Sequence, residues 1–153
     1  MQQLDDLDRR ILRILQDDAN ISSAELAKRA GASAPSCWRR VERMQADGVI
    51  LDKRVEIDAK ALGFAVEVSL RITLDKTQSN AFDIFIAAAR DVPEVSEIQT
   101  FLGRVDVRLT VLARDMPHYQ EIYRNRILAL PHIADIEALM LVADVMKSER
   151  LPI

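Results

Sequence analysis

Cysteine is almost missing from this sequence of 153 residues. The single one, Cys37, excludes an intramolecular disulfide, and a chain without a disulfide framework is expected in a reducing cytoplasm. Glycine is scarce too: four residues, too scattered for a glycine-rich phosphate loop. Histidine occurs twice, as His118 and His132, and neither stands at metal-ligand spacing. No serine, acid and histidine form a nucleophile–base motif. Catalysis, a metal and a cofactor are therefore not expected. No apolar run approaches the roughly 18 residues of a membrane span. The acidic, polar residues 1–8 are the wrong start for a signal peptide. An excess of positive charge is also lacking. The net charge is -3, and residues 1–62 carry eleven Lys/Arg against eleven Asp/Glu. Total charge thus neither supports nor excludes a nucleic-acid partner, and such a reading must rest on local charge.

What remains is an ordinary globular balance, 49% hydrophobic and 29% charged. The first 50 residues have helical periodicity. Leu7, Ile11, Ile14 and Leu15 form one stripe, broken by residues 17–20. Ser22 stands three residues before Glu25, a capping-box spacing, and opens a short helix through Leu26, Ala27 and Ala30 that Gly31 stops. Ser33 caps a third helix, with Pro35 in its first turn, that runs to Gly48.

Two helices joined by the turn at Gly31, Ala32 and Ser33 form a helix-turn-helix candidate. In the third helix Cys37, Val41 and Met44 share an inward stripe, and Ser36, Arg39 and Arg43 fall on the opposite side. Arg40 lies at the boundary and either faces DNA or braces the domain. An arginine can bind guanine through two parallel hydrogen bonds or clamp a phosphate. Ser33 and Ser36, near the helix start, can reach phosphate. Trp38 flanks the apolar stripe and is expected in the core or at a domain contact, ahead of stacking on DNA. Cys37 is expected as a small core residue.

From Leu51 the period changes. Leu51, Lys53, Val55 and Ile57 alternate with Asp52, Arg54 and Glu56, suggesting a linking strand before a short connection over residues 58–63. Strict alternation over residues 64–74 gives the next strand. Phe82, Phe85, Ile86 and Ala89 mark a helical face. Strands over 94–102 and 106–113 are split by a turn at Gly103. A helical stripe through Tyr119, Ile122, Tyr123, Ile127 and Leu130 ends at Pro131, and a last strand covers 133–145. The β-α-β-β-α-β order is that of a ferredoxin-like sandwich with both helices on one sheet face. The expected division is 1–50 for the helix-turn-helix, 51–62 for the linking strand and hinge, and 63–153 for the sandwich. In the last strand Leu139 and Leu141 lie on one face, and Ile136, Ala138, Met140 and Val142 on the other. Either a second copy covers the extra apolar face, or the strand is central and the C-terminal tail covers it.

Several short motifs, in order along almost the whole chain, resemble the Lrp/AsnC (feast/famine) regulators. They are Leu7-Asp8-Arg9-Arg10-Ile11-Leu12, Glu25-Leu26-Ala27, Ser33-Ala34-Pro35, Arg40-Val41-Glu42-Arg43-Met44 and Gly48-Val49-Ile50. Further on come Leu62-Gly63, the turn from Gly103 to Asp106, Leu130-Pro131 and Arg150-Leu151-Pro152-Ile153. The resemblance implies an α+β protein: a winged helix-turn-helix followed by a ferredoxin-like sandwich. It further implies double-stranded DNA as a partner and a homodimer built on the sheet domain. An octamer and an amino-acid effector at the interfaces between dimers are implied as well.

The sequence departs from the family at the effector turn. Relatives carry Gly-Asp-aromatic-Asp there; this chain has Gly103-Arg104-Val105-Asp106. Ile136 and Ala138 stand where relatives often have threonines. Arg104, with Arg108, either holds an effector carboxylate while Ile136 and Ala138 receive an apolar side chain, or pairs with an acid of a neighbouring subunit.

Overall fold

The protein, seen in a computed structural model, is described over residues 3–77, 79–143, 145–146 and 150–153. It divides into two units, residues 1–56 with 147–153, and residues 57–146.

The first unit holds α1 (Asp6–Asp17), α2 (Ser23–Ala30) and α3 (Ala34–Ala46). Each start is a side-chain cap. The Asp5 carboxylate accepts from the Asp8 N–H and the Asp8 carboxylate accepts from the Asp5 N–H, a reciprocal box. Ser22 Oγ accepts from the Glu25 N–H at 3.2 Å, and Ser33 Oγ from the Ser36 N–H at 3.4 Å. Gly31 ends α2 at φ 70°, the left-handed conformation that glycine adopts without a Cβ penalty. The core of this unit joins Ile11 and Ile14 of α1, Leu26, Ala27 and Ala30 of α2, and Cys37, Val41 and Met44 of α3. Trp38 is not part of it; the indole is 52% exposed. The C-terminal residues also belong to this unit. The Leu151 N–H donates to Gln16 Oε1 at 2.6 Å, and Arg150 pairs with Asp17.

The linking strand expected over residues 51–57 finds no partner among the described residues of a single chain. These residues carry no strand assignment, and Leu51 and Val55 are 89% and 85% exposed. Alternation alone does not make a strand, because its backbone groups need a ladder partner.

The second unit contains β1 (Val66–Leu74), α4 (Ala81–Arg90), β2 (Val95–Thr100), β3 (Val107–Ala113), α5 (Met116–Ile122) and β4 (Ile133–Met140). A π-turn, Tyr123–Ile127, extends α5. The strands pair antiparallel in the order β2-β3-β1-β4. Val68, Leu70 and Ile72 of β1 lie beside Val111, Leu109 and Val107 of β3. All six are fully buried, against Phe85 and Ala89 of α4 and Tyr119 and Ile122 of α5. Both helices therefore cover one sheet face, as the βαββαβ order requires.

The last strand differs from expectation in two ways. It ends at Met140, and residues 141–143 and 145 carry no strand assignment, while Asp144 lies outside the described residues. It is also an edge strand, not a central one. Ser69 faces Leu139 and Leu70 faces Ala138, so the two apolar sets occupy opposite sheet faces. Leu139, Met140 and Leu141 are all partly exposed.

Candidate DNA-reading helix and effector turn

The turn between α2 and α3 is fixed at both ends, by Gly31 in the left-handed region and by the Ser33 cap. A narrow buried stripe seats α3, and the remaining faces are solvated. Ser33 and Arg39 are exposed and Ser36 is half-buried. The Ser33 oxygen accepts the capping bond, which leaves its hydroxyl hydrogen available to a phosphate.

The two other arginines behave differently. Asp8, on α1, is 1% exposed at its side chain and receives both of them: Arg40 Nη1 at 2.8 Å and Arg43 Nη2 at 2.6 Å. Arg40 Nη1 also reaches Asp5 Oδ2 at 2.7 Å. Of the two roles open to Arg40, bracing is the one seen. Arg43, placed by helical period on the face opposite the inward stripe, reaches Asp8 while its side chain stays 38% exposed. A long guanidinium on the flank of a helix reaches back to a buried acid, because that acid must be paired. Burial alone would raise the Asp8 carboxyl. Hydrogen bonds from Arg40, the Asp5 backbone and Arg43 outweigh it and hold the group below its usual value. Asp5 is lowered as well, first by the Asp8 backbone N–H and then by Arg40. Arg40 is raised, chiefly by Asp8 and then by Asp5.

The effector turn joins β2 to β3. Asp106 is the organising residue. Its N–H donates to the Ile72 carbonyl at 2.9 Å, and its Oδ2 accepts from the Leu74 N–H at 2.9 Å. Lys76 Nζ sits 2.8 Å from Oδ1. Burial works against the charged form, but Lys76 and the Leu74 N–H outweigh it and lower the pKa. Thr73 Oγ1 donates to the Arg104 carbonyl at 3.0 Å. Gly103 and Arg104 are exposed.

The expected partners of this turn do not meet it within one chain. Ile72 pairs with Val107 on one side and Ile136 on the other, so β1 lies between. Two strand spacings are roughly 9–10 Å. Ile136 is half-buried against the helix-side core, while Ala138 is exposed. Arg108 is engaged elsewhere, on the sheet face away from the helices. Its Nη2 is 3.7 Å from Glu97, and its guanidinium lies 6.0 Å from the Phe101 ring centre. Among the described residues no cluster of His, Cys, Asp and Glu could hold a metal, and no helix is long and apolar enough to cross a membrane.

A capped helix-turn-helix and a separate ferredoxin-like unit with an organised turn define the class of a two-part DNA-binding regulator. Residues 4–50 match the winged helix-turn-helix DNA-binding family, and residues 67–151 match the Lrp/AsnC ligand binding domain. The leucine-responsive regulatory protein of Salmonella typhimurium is 33% identical over 98% of this chain and 92% of its own length. The glutamate uptake regulatory protein of Zymomonas mobilis is 29% identical, over all of this chain and 93% of its own. An AsnC family transcriptional regulator from Agrobacterium tumefaciens has the same fold at a TM-score of 0.87 and 32% identity, covering 97% of both chains. A transcriptional regulator from Neisseria meningitidis in complex with L-Met has a TM-score of 0.90 at 22% identity, covering 98% of this chain and 97% of its own. The chain belongs to the Lrp/AsnC family of transcription regulators.

Proposed function

We propose that this regulator reads duplex DNA with α3, through Ser33, Ser36 and Arg39, while Arg40 and Arg43 brace the helix. The observation that carries this reading is the exposed Arg39 on a helix whose start is capped by Ser33 and whose flank is tied to Asp8 by Arg40 and Arg43. It acts in the cytoplasm without catalysis, as a homodimer. The outer sheet face supports dimerisation, since Leu139 and Leu141 are partly exposed there. The boundaries proposed for this division of labour are 1–50, 51–62 and 63–153, with residues 150–153 held in the first unit by Gln16 and Asp17. The turn at Gly103, Arg104 and Asp106 takes an amino acid, in keeping with relatives named for leucine and glutamate and a neighbour in complex with L-Met. Because Ile136 and Ala138 lie a strand away from the turn, they join such a site only from another subunit.

Selection of bound duplexes from a random-sequence library, followed by titration with and without each amino acid, tests this. A preferred sequence whose affinity changes with an amino acid is expected. Binding without sequence preference overturns the DNA reading. A second reading, regulation without a small molecule, is favoured by one fact: Asp106 is already satisfied by Lys76 and the Leu74 N–H. Sequence-specific binding that no amino acid alters supports it.

A further inference from the structure

The three arginines of α3 are not equivalent. Arg39 is exposed and makes no ion pair with any described residue. Arg40 and Arg43, one turn apart, converge on a single carboxylate that is 1% exposed. The Asp5 N–H completes the set of donors to Asp8 at 3.1 Å, and Asp5 in turn accepts from Arg40.

We propose that Asp8 is a positioning residue for DNA recognition: it ties Arg40 and Arg43 to the body of the DNA-binding unit, fixes the roll of α3, and leaves Arg39 as the arginine this helix presents to DNA. The proposal rests on reading α3 as the DNA-contacting helix. Two physical effects act together. Apolar contacts at Cys37, Val41 and Met44 are non-directional and tolerate roll. Two charge-assisted hydrogen bonds to one fixed point do not. The second effect is on charge. Asp5 and Asp8 offset the two cations, so the helix presents less positive charge to phosphate than three arginines suggest. Non-specific affinity is supplied mostly by cations on phosphates, whereas discrimination is a ratio of affinities. Withholding two cations lowers the non-specific term and widens that ratio.

The test uses the full chain with Asp8→Asn, a random duplex and a selected site, each titrated across salt by fluorescence anisotropy. An asparagine keeps one oxygen that can accept from one guanidinium, but its amide N–H opposes the other and releases it, and the remaining contact loses its charge assistance. Non-specific affinity is expected to rise, with a salt slope steeper by about 0.9 for each arginine that reaches a phosphate. Site discrimination is expected to fall roughly tenfold, the scale of one mismatched base pair. A folded variant with unchanged salt slope and unchanged or weaker non-specific binding overturns the proposal, because a purely structural acid has only that effect. Should Asp8→Asn fail to fold, Arg43→Gln decides. Its non-specific slope is expected to stay unchanged while site affinity falls; a slope shallower by about 0.9 means that Arg43 already sits on phosphate, which overturns the proposal. Arg39→Ala keeps the two failures apart, since undiminished DNA binding by that variant removes Arg39 from the interface, and with it the reading of α3 on which the clamp rests.

Discussion

Asp8 Oδ2 and Arg43 Nη2, 35 residues apart in sequence, meet at 2.6 Å and join the first helix of the DNA-binding unit to its third. The carboxylate is almost wholly buried and the guanidinium is 38% exposed. The contact therefore sits at the rim of the core, where it is open to acid and to competing anions.

Acid should loosen this unit through Asp8 and Asp5. Both carboxyls are held below the ordinary aspartate value of 3.8 in the folded protein. Their stabilising contribution is complete above that value and is lost as pH falls through the lower folded values. Arg40 is shifted up by its hydrogen bonds to Asp8 and Asp5 and stays charged throughout this range. Thermal melts between pH 7 and pH 2 should show a fall that begins near pH 4. Asp8→Asn should cost about 2 kcal/mol at pH 7, on the scale of hydrogen bonds to charged groups. It should also flatten the acid limb, with Asp106 accounting for some of what remains. An acid limb identical in the two proteins would separate Asp8 from acid stability.

That clamp was the least legible part of the sequence. The helical stripes, the caps at Ser22 and Ser33, and the βαββαβ order all follow from local period and turn chemistry, and they are seen. Asp8 hides because it reads as one more solvated acid in a charged first turn. Two signals could have exposed it. Asp5 and Asp8 stand at capping-box spacing, with aspartate at the cap and again where glutamate is usual. Asp8 also lies three residues before Ile11, on the buried stripe, next to arginines at the flank of another helix. Residues 51–57 misled for the opposite reason. Their alternation is a strand pattern, but whether a strand forms depends on a partner that period cannot supply. The resemblance puts Ile136 at the effector turn, and only the strand order shows that β1 intervenes.

Arg39→Ala should weaken DNA binding and leave the melting temperature unchanged, since the side chain is exposed and makes no ion pair with a described residue. If Arg39 reads a base, the loss should be about 1–3 kcal/mol at the selected site and small on random duplex. A phosphate contact should instead weaken both and reduce the salt slope by about 0.9. Anisotropy titrations on the two duplexes separate these outcomes. Full affinity for both removes Arg39 from the interface.

Assembly should depend on the outer sheet face. Leu139 faces Ser69 there, away from the helix-side core, and is 37% exposed. Leu139→Asp should shift sedimentation of micromolar protein from dimer to monomer, because a desolvated carboxylate facing a second apolar surface has no partner. The fold itself should be retained, as judged by far-ultraviolet circular dichroism. A wild-type monomer at that concentration contradicts the dimer outright, and an unaffected dimer in the variant moves the interface to another face.

The effector turn gives the last prediction. Asp106 has its backbone and both carboxylate oxygens engaged, so it shapes the turn and has little capacity left for a ligand. Arg104 has its carbonyl fixed by Thr73, and its exposed guanidinium is the cation this turn has in place of the family acid. If that guanidinium holds an effector carboxylate, the remainder of the site is set by apolar neighbours, with Ile136 and Ala138 supplied by another subunit. Leucine, methionine or phenylalanine should then bind more tightly than aspartate or asparagine, whose polar ends lose water without replacement. Two methylene groups of extra burial correspond to about 1.6 kcal/mol, roughly fifteenfold in affinity. Calorimetry across the amino acids reads this ranking directly. Arg104→Ala should abolish the heat while leaving the melting temperature of the unliganded protein unchanged, whereas Asp106→Asn should lower both. Tightest binding by aspartate points to a different cation. No heat for any amino acid, or equal binding by Arg104→Ala, leaves Arg104 as a contact between subunits and the protein as a regulator without a small-molecule signal.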